Sequence, residues 1–282
     1  MTPSVCASAN TNDTGMLIDS RDDKQYWVAK LADGRCWMTQ NMELDLKSRT
    51  LTSTDSDVAS NYTFGSSVMY TSPSGGGSTS TTIAAWNLGD YVRTVPSEAS
   101  SSTSCDTYTN LSECTSYFTD VSSITPMTSV RTDGKAVEGT TYDAHFKTGY
   151  YYSWNAATAG SGGSITSGQA ASSICPKGWE LPTSSNTSSG SFYYLLSQYG
   201  LTSNVTFGSN NIALAPLYFV RSGTVYPGGS LYGVALSGTY WSSTPYSSNS
   251  YAYIFYFDYP VVEPSSYGTR QRGFSVRCIA SA

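Results

Sequence analysis

His145 is the only imidazole in the chain, so a serine-hydrolase base or a Cys/His zinc site would have to be built on it. It sits beside Phe146, near the end of a polar stretch. No Ser is framed by a GxSxG elbow, and no pair of cysteines has zinc-finger spacing. Asp19, Asp22 and Asp23 crowd one segment, yet their spacing breaks the EF-hand pattern and no bidentate Glu follows where one is needed. Turn formation is their expected role. The other Asp and Glu are scattered, with no pair placed for glycoside hydrolysis. His145 therefore reads as a core or surface residue. The chain reads as a non-enzyme without cofactor or metal, a secreted hydrolase being the lesser alternative.

The chemistry on offer is recognition. Residues 238–278 read GTYWSSTPYSSNSYAYIFYFDYPVVEPSSYGTRQRGFSVRC, and between Ser237 and Tyr267 stand seven Tyr and eight Ser with no Lys or Arg. Tyr gives large amphipathic contact area at low entropy cost, and Ser gives adaptable hydrogen bonds. From Tyr251 to Asp258 the pattern has period two. Phe255 and Phe257 are expected to point inward with Tyr253, and Ile254, Tyr256 and Asp258 outward. The plainer reading of the same residues is a Tyr-rich surface of a secreted β-protein, a structural or adhesive module with no dedicated site.

Such a surface needs a frame. At 282 residues the chain can bury one sizeable core or two small ones. Charged residues are only 12% but aromatics reach 13%, which is not a disordered composition. A net charge of −5, with Arg270 and Arg272 as the nearest approach to a basic cluster, argues against a nucleic-acid partner. No apolar run is long enough to insert in a membrane. The opening MTPSVCAS lacks the basic and apolar regions of a signal peptide, and Met1 is expected to head a trimmed sequence. The six Cys allow many pairings; the expected set is Cys6–Cys36, Cys105–Cys114 and Cys175–Cys278. That implies an oxidising, extracellular or cell-surface setting.

Along the chain, strands are expected at Met16–Ser20, Gln25–Leu31 and Arg35–Gln40, the last two joined by an Asp33-Gly34 turn. Residues 71–82 are a Gly/Ser/Thr loop. A short helix is expected over Thr82–Arg93, carrying Ile83, Trp86 and Leu88. The segment from about 50 to 145 reads as an insertion in a single domain. A second helix is expected over Ser191–Tyr199, with Phe192, Leu195, Leu196 and Tyr199 on one face and Gly200 as its stop. Leu214–Arg221 and Leu231–Leu236 read as strands.

With these residues in view, the chain resembles the Fibrobacter succinogenes major paralogous domain family, a branch of the C-type lectin-like fold. The matching blocks are IDSRDDKQYWVAKLADGRCWMTQNMEL (Ile18–Leu44), GYYYSWNAA (Gly149–Ala157), CPKGWELPT (Cys175–Thr183), YWSST (Tyr240–Thr244) and RGFSVRC (Arg272–Cys278), in the family's order. The resemblance implies a compact α+β domain with small twisted sheets, few helices and long loops, and a Cys175–Cys278 bond. Sugar-binding lectins of this fold hold calcium through a Glu-Pro-Asn-like loop and a Trp-Asn-Asp strand. Here Glu263-Pro264-Ser265 and Trp241-Ser242-Ser243 lack those oxygens, so no such site is expected. The related formylglycine-generating enzymes need reactive Cys, whereas every Cys here has an expected structural partner. The sequons at Asn12, Asn61, Asn110, Asn186 and Asn204 are expected to be silent in the bacterial source that the family suggests.

The C-terminal stretch, about 238–272, further resembles the variable protein of a diversity-generating retroelement, in which mutated template adenines diversify selected surface codons. The resemblance implies fixed positions at Trp241, Ser242, Ser243, Ala252, Phe257, Pro264, Gly273, Phe274 and Cys278. It implies variable, ligand-contacting positions at Tyr246, Ser248, Asn249, Tyr251, Ile254, Tyr256, Asp258, Tyr259, Ser265, Ser266, Tyr267, Thr269 and Gln271. The expected partner is a protein or glycan ligand.

Overall fold

The computed structural model describes residues 1–71, 75–94, 117–131, 133–185, 189–201, 212–227, 229–258 and 261–280. The N-terminal meander forms as its turn chemistry dictates. β1 (Thr14–Asp19) pairs antiparallel with β2 (Lys24–Lys30), which turns through Asp33-Gly34 into β3 (Cys36–Met38). Gly34 has φ 79°, a left-handed value that a Cβ disfavours. Asp33 ties the same turn, accepting from Arg35 N at 3.1 Å and Trp37 Nε1 at 2.9 Å. Asp19 is also a turn residue: its carboxylate grips the Arg21 guanidinium at 2.7 and 2.5 Å, and its carbonyl accepts from Asp23 N.

β4 (Trp179–Glu180) begins at the tryptophan of the CPKGW block. The C-terminal stretch then forms β5 (Gly238–Pro245), β6 (Tyr251–Phe257) and β7 (Val262–Thr269), a three-stranded antiparallel sheet in that order. β8 (Ile279–Ala280) returns to the first sheet, whose order is β1-β2-β3-β8-β4. Both ends of the chain thus share one sheet. The architecture among the described residues is α+β: small, mostly antiparallel sheets with few helices.

β2 is buried on both faces. Tyr26 and Val28 join Met38, Trp154, Trp241 and Phe274 in one core, while Ala29 and its neighbour Trp37 join Phe192, Phe219, Tyr240 and Phe255 in another. The second core rests on a helix. Besides α1 (Pro3–Ser8) and α2 (Trp154–Ala157), the chain has α3 (Ser191–Gln198), whose Phe192, Leu195 and Leu196 are fully buried. At its start Thr183 Oγ1 accepts from Ser191 N at 3.0 Å. At its end Gly200 has φ 71°, Gly200 N donates to Ser197 O, and Leu201 N donates to Leu196 O. Those paired bonds are a Schellman stop, as the Gly at that place predicts.

Two disulfides brace the frame, Cys6–Cys36 and Cys175–Cys278, each with Cα atoms 5.9 Å apart. Cys105 and Cys114 lie outside the described residues.

Three expected elements are corrected. Residues 82–93 hold no helix: Ala85–Trp86 and Tyr91–Arg93 are strands. Trp86 is fully buried opposite Tyr151, and its strand also pairs with Met69–Tyr70. Long-range edge pairing outweighs the weak helix propensity of a segment containing Asn87 and Gly89. Leu214–Leu217 is a turn, with Tyr218 N bonded to Leu214 O, and Tyr218–Arg221 is irregular. Pro216 has no N–H to offer a ladder, and the Tyr240 hydroxyl bonds both Val220 N and Val220 O in a strand's stead. Of Leu231–Leu236 only Leu231–Tyr232 is strand.

Candidate ligand-binding face

β6 is the axis of the site, and each of its faces is half core and half surface. On one face Phe255 and Phe257 are fully buried against Phe219 and Tyr240, while Tyr251 and Tyr253 further back are half-exposed. On the other face Ala252 and Ile254 are buried, while Tyr256 and Asp258 open outward. Two register shifts produce this diagonal. Between Trp241 and Pro245, β5 carries more residues than β6 opposite it. Between Ile254 and Tyr256, β7 carries the extra residue, near Pro264. Bulges bend a strand and raise its twist, and Pro there withholds no ladder bond. The surplus of β5 is anchored: Ser242 Oγ donates to Tyr253 O at 2.7 Å, and Ser242 O accepts from Trp154 Nε1 at 2.8 Å.

At the back end the tyrosines form a patch. Tyr253 and Tyr267 are opposed across β6 and β7. The Tyr246 ring stacks on Tyr267 at 4.6 Å and meets Tyr253 edge-on at 5.1 Å; Tyr251 meets Tyr267 edge-on at 5.5 Å. Tyr267 is 53% exposed. Ring-on-ring contact fixes rotamers before any ligand arrives, which lowers the entropy lost on binding.

At the front end, on the opposite face, lies a cavity of about 390 Å³. Ile254, Phe274 and Leu236 supply its apolar lining, Tyr226, Tyr232 and Tyr256 its rings, and Asp258, Glu263 and Arg272 its charges. Tyr256 donates to Asp258 Oδ2 at 2.6 Å. Burial, then that carboxylate, raises the Tyr256 pKa, so the phenol stays a donor. The Arg272 guanidinium lies 4.1 Å over the Tyr226 ring.

One buried side chain holds the patch loop. Arg270 is fully buried; its Nε donates to Tyr251 O (3.0 Å), and its terminal nitrogens donate to Gly162 O (3.0 Å), Ile165 O (2.6 Å) and Ser248 O (3.3 Å). Burial lowers its pKa to about 10, which leaves it charged at neutral pH.

The thirteen expected contact positions divide between the patch and the cavity, with Tyr267 bordering both and a few in neither. Tyr246, Tyr251 and Tyr267 meet in the patch, with Ser248 and Asn249 in its loop. Tyr256, Asp258 and Ser266 line the cavity. Ser265, Thr269 and Gln271 are half-exposed along or just after β7. Tyr259 lies outside the described residues. Ile254 is a correction: it is 4% exposed, because its register partner Trp241 and the buried Phe274 share its face. Tyr253 is the converse correction, half-exposed in the patch and not buried with Phe255.

Sequence reasoning missed Tyr226, Tyr232, Glu263 and Arg272. Tyr226 and Tyr232 flank Pro227 and Gly229 in a hairpin whose strands pair Thr224–Val225 with Leu231–Tyr232. The Pro-Gly-Gly sequence between two tyrosines was the available signal.

His145 is buried at 1%, bonded through Nδ1 to Asp143 Oδ1 at 2.6 Å, and stacked between Tyr218 (4.0 Å) and Trp27 (5.4 Å). Its imidazole has no hydroxyl partner among the described residues. Among the described residues no three His, Cys, Asp or Glu converge as metal ligands, and no helix is long and apolar enough to cross a membrane. Comparison with protein-family models, with curated proteins and with solved structures finds no match for this chain.

Proposed function

We propose that the chain is a ligand-binding protein: a C-type lectin-like frame that presents a diversified Tyr/Ser-rich face, in the manner of a retroelement variable protein. One observation carries the reading. The nine positions expected to be fixed, Trp241, Ser242, Ser243, Ala252, Phe257, Pro264, Gly273, Phe274 and Cys278, are all buried. Of the described positions expected to vary, every one except Ile254 is at least partly exposed. An inheritance pattern that spares the core and changes the surface needs that division.

The lectin-like frame is supported by the convergence of the sequence blocks. Trp241 Nε1 donates to Tyr152 O at 2.6 Å, Trp154 N donates to Arg270 O, and Tyr152 and Phe274 exchange backbone bonds. The Cys175–Cys278 bond ties the CPKGW block to the C-terminal strand. Two disulfides fit an extracellular or cell-surface setting.

A protein surface is the favoured ligand. The four-ring patch is open and spread along a sheet, and such aromatic patches make interface hot spots. A glycan is the alternative, and no enzymatic role is assigned. Sequencing this gene in related isolates tests the reading: substitutions should cluster at the exposed positions of residues 246–271, beside a reverse transcriptase and a near-repeat of the last coding segment. Substitutions spread evenly along the chain would leave a structural or adhesive module as the better account.

A further inference from the structure

A second cavity, of about 600 Å³, lies away from the tyrosine-bearing sheet. Its size falls in the roughly 300–1,000 Å³ range of small-ligand sites. It is built by segments far apart in sequence: β1 and β2, residues 40–43, 126–128 and 142–150.

Its inner wall is a buried ion pair. Lys147, 8% exposed, donates from Nζ to Glu43 Oε2 at 2.7 Å and to Asp90 Oδ1 at 3.2 Å. Glu43 is 5% exposed. A buried pair of this kind seldom stabilises more than an apolar replacement would, so its place on a cavity wall points to use and not to folding. The other ammonium, Lys24 Nζ, donates to Glu43 O, approaches Asp22 Oδ2 at 3.8 Å and sits 4.6 Å over the Tyr150 ring. Both cations are already answered by carboxylates, which leaves neither to hold an anion.

Hydrogen-bonding capacity remains beside an aromatic wall. Glu43 Oε1 has no protein partner among the described residues, and Gln40 spends its Oε1 on Trp27 N at 3.3 Å, leaving its amide nitrogen over. Burial raises the pKa of Tyr142 and Tyr150, so both phenols stay donors. The Trp27 indole is backed by His145, at 5.4 Å and 18° between planes, which holds it still as a wall. Paired charges, mixed donors and acceptors, and a fixed ring suit a neutral polyhydroxylated ring, whose hydroxyls give and take bonds and whose C–H face stacks on an aromatic.

We propose that this cavity binds a neutral saccharide residue, with Trp27 and Tyr142 as stacking wall and Gln40, Glu43 and Lys147 as its hydrogen-bonding array. The site is independent of the tyrosine face. The test is calorimetric titration of the full chain with methyl glycosides of glucose, galactose, mannose, fucose and N-acetylglucosamine. At least one should bind saturably. Gln40→Leu and Glu43→Gln should each weaken it by about tenfold, the cost of one hydrogen bond to a buried or charged group, and Tyr194→Ala, on the exposed side of α3, should leave it unchanged. Gln40→Leu leaves the ion pair intact, so its melting temperature shows whether the frame survives. Three results would overturn the proposal: no saturable binding of any glycoside, binding indifferent to Gln40→Leu in a folded variant, or binding of acetate or methylamine in preference to the glycosides.

Discussion

The Arg270 guanidinium lies 4.2 Å over the Trp154 ring while its nitrogens reach carbonyls of Gly162, Ile165, Ser248 and Tyr251. One side chain from the end of β7 thus fixes α2, the 160–165 loop and the loop that carries Tyr246. Arg270→Lys keeps a charge but offers one point in place of a planar fork. It should lower stability by about 3 kcal/mol, since buried carbonyls lose their donors. Urea unfolding measures this, and amide exchange at residues 246–250 should rise with it.

Ile254 and Ser266 are register partners across β6 and β7, but only Ile254 meets Trp241 and Phe274. Ile254→Asn should cost about 3 kcal/mol through a lost apolar contact and a buried amide. Ser266→Asn should change stability by less than about 0.5 kcal/mol. Thermal melts of the two variants check the contrast. In related genes, position 254 should stay apolar even where its neighbours change.

Alkaline pH should unfold the protein cooperatively. Burial raises the pKa of Tyr26, Tyr151, Tyr152 and Tyr240 above the ordinary 10.0. The folded state therefore holds protons that the unfolded chain releases. The sign follows: this stability is fully present below pH 10 and is lost as pH rises beyond it, by about 1.4 kcal/mol per pH unit for each buried phenol. Absorbance at the phenolate band should rise in two steps, the exposed tyrosines first and the buried ones together with loss of tertiary structure. A single smooth titration with the fold intact would contradict it.

The Cys175–Cys278 bond spans 103 residues of sequence. In the chain-entropy account a loop of that length contributes about 5 kcal/mol, more than the 30-residue separation of Cys6–Cys36 would. Cys175→Ala with Cys278→Ala should therefore lower the melting temperature further than Cys6→Ala with Cys36→Ala, as read by calorimetry.

Local chemistry was legible in the sequence where one residue decides the backbone. Asp33-Gly34 fixed a hairpin and Gly200 a helix stop, and both cysteine pairs in the described residues follow the expectation. What depended on distant partners was not legible. Period two along β6 assigned Tyr253 inward and Ile254 outward, but the bulges in β5 and β7 twist the sheet until both assignments reverse. Trp86 reads as helical by its neighbours and becomes a strand because Tyr151 lies opposite. The front cavity escaped notice because Tyr226 and Arg272 meet only in space.

The most direct test of the tyrosine face is capture on a mixed protein and glycan array by the intact chain and by a Tyr246→Ala, Tyr251→Ala, Tyr267→Ala variant. The rings pack against one another and all are at least partly exposed, so the variant should melt within about 4 °C of the parent yet lose the parent's array signal. Retained binding by a folded variant, or collapse of the fold, would contradict the claim that these tyrosines are held at the surface for a partner.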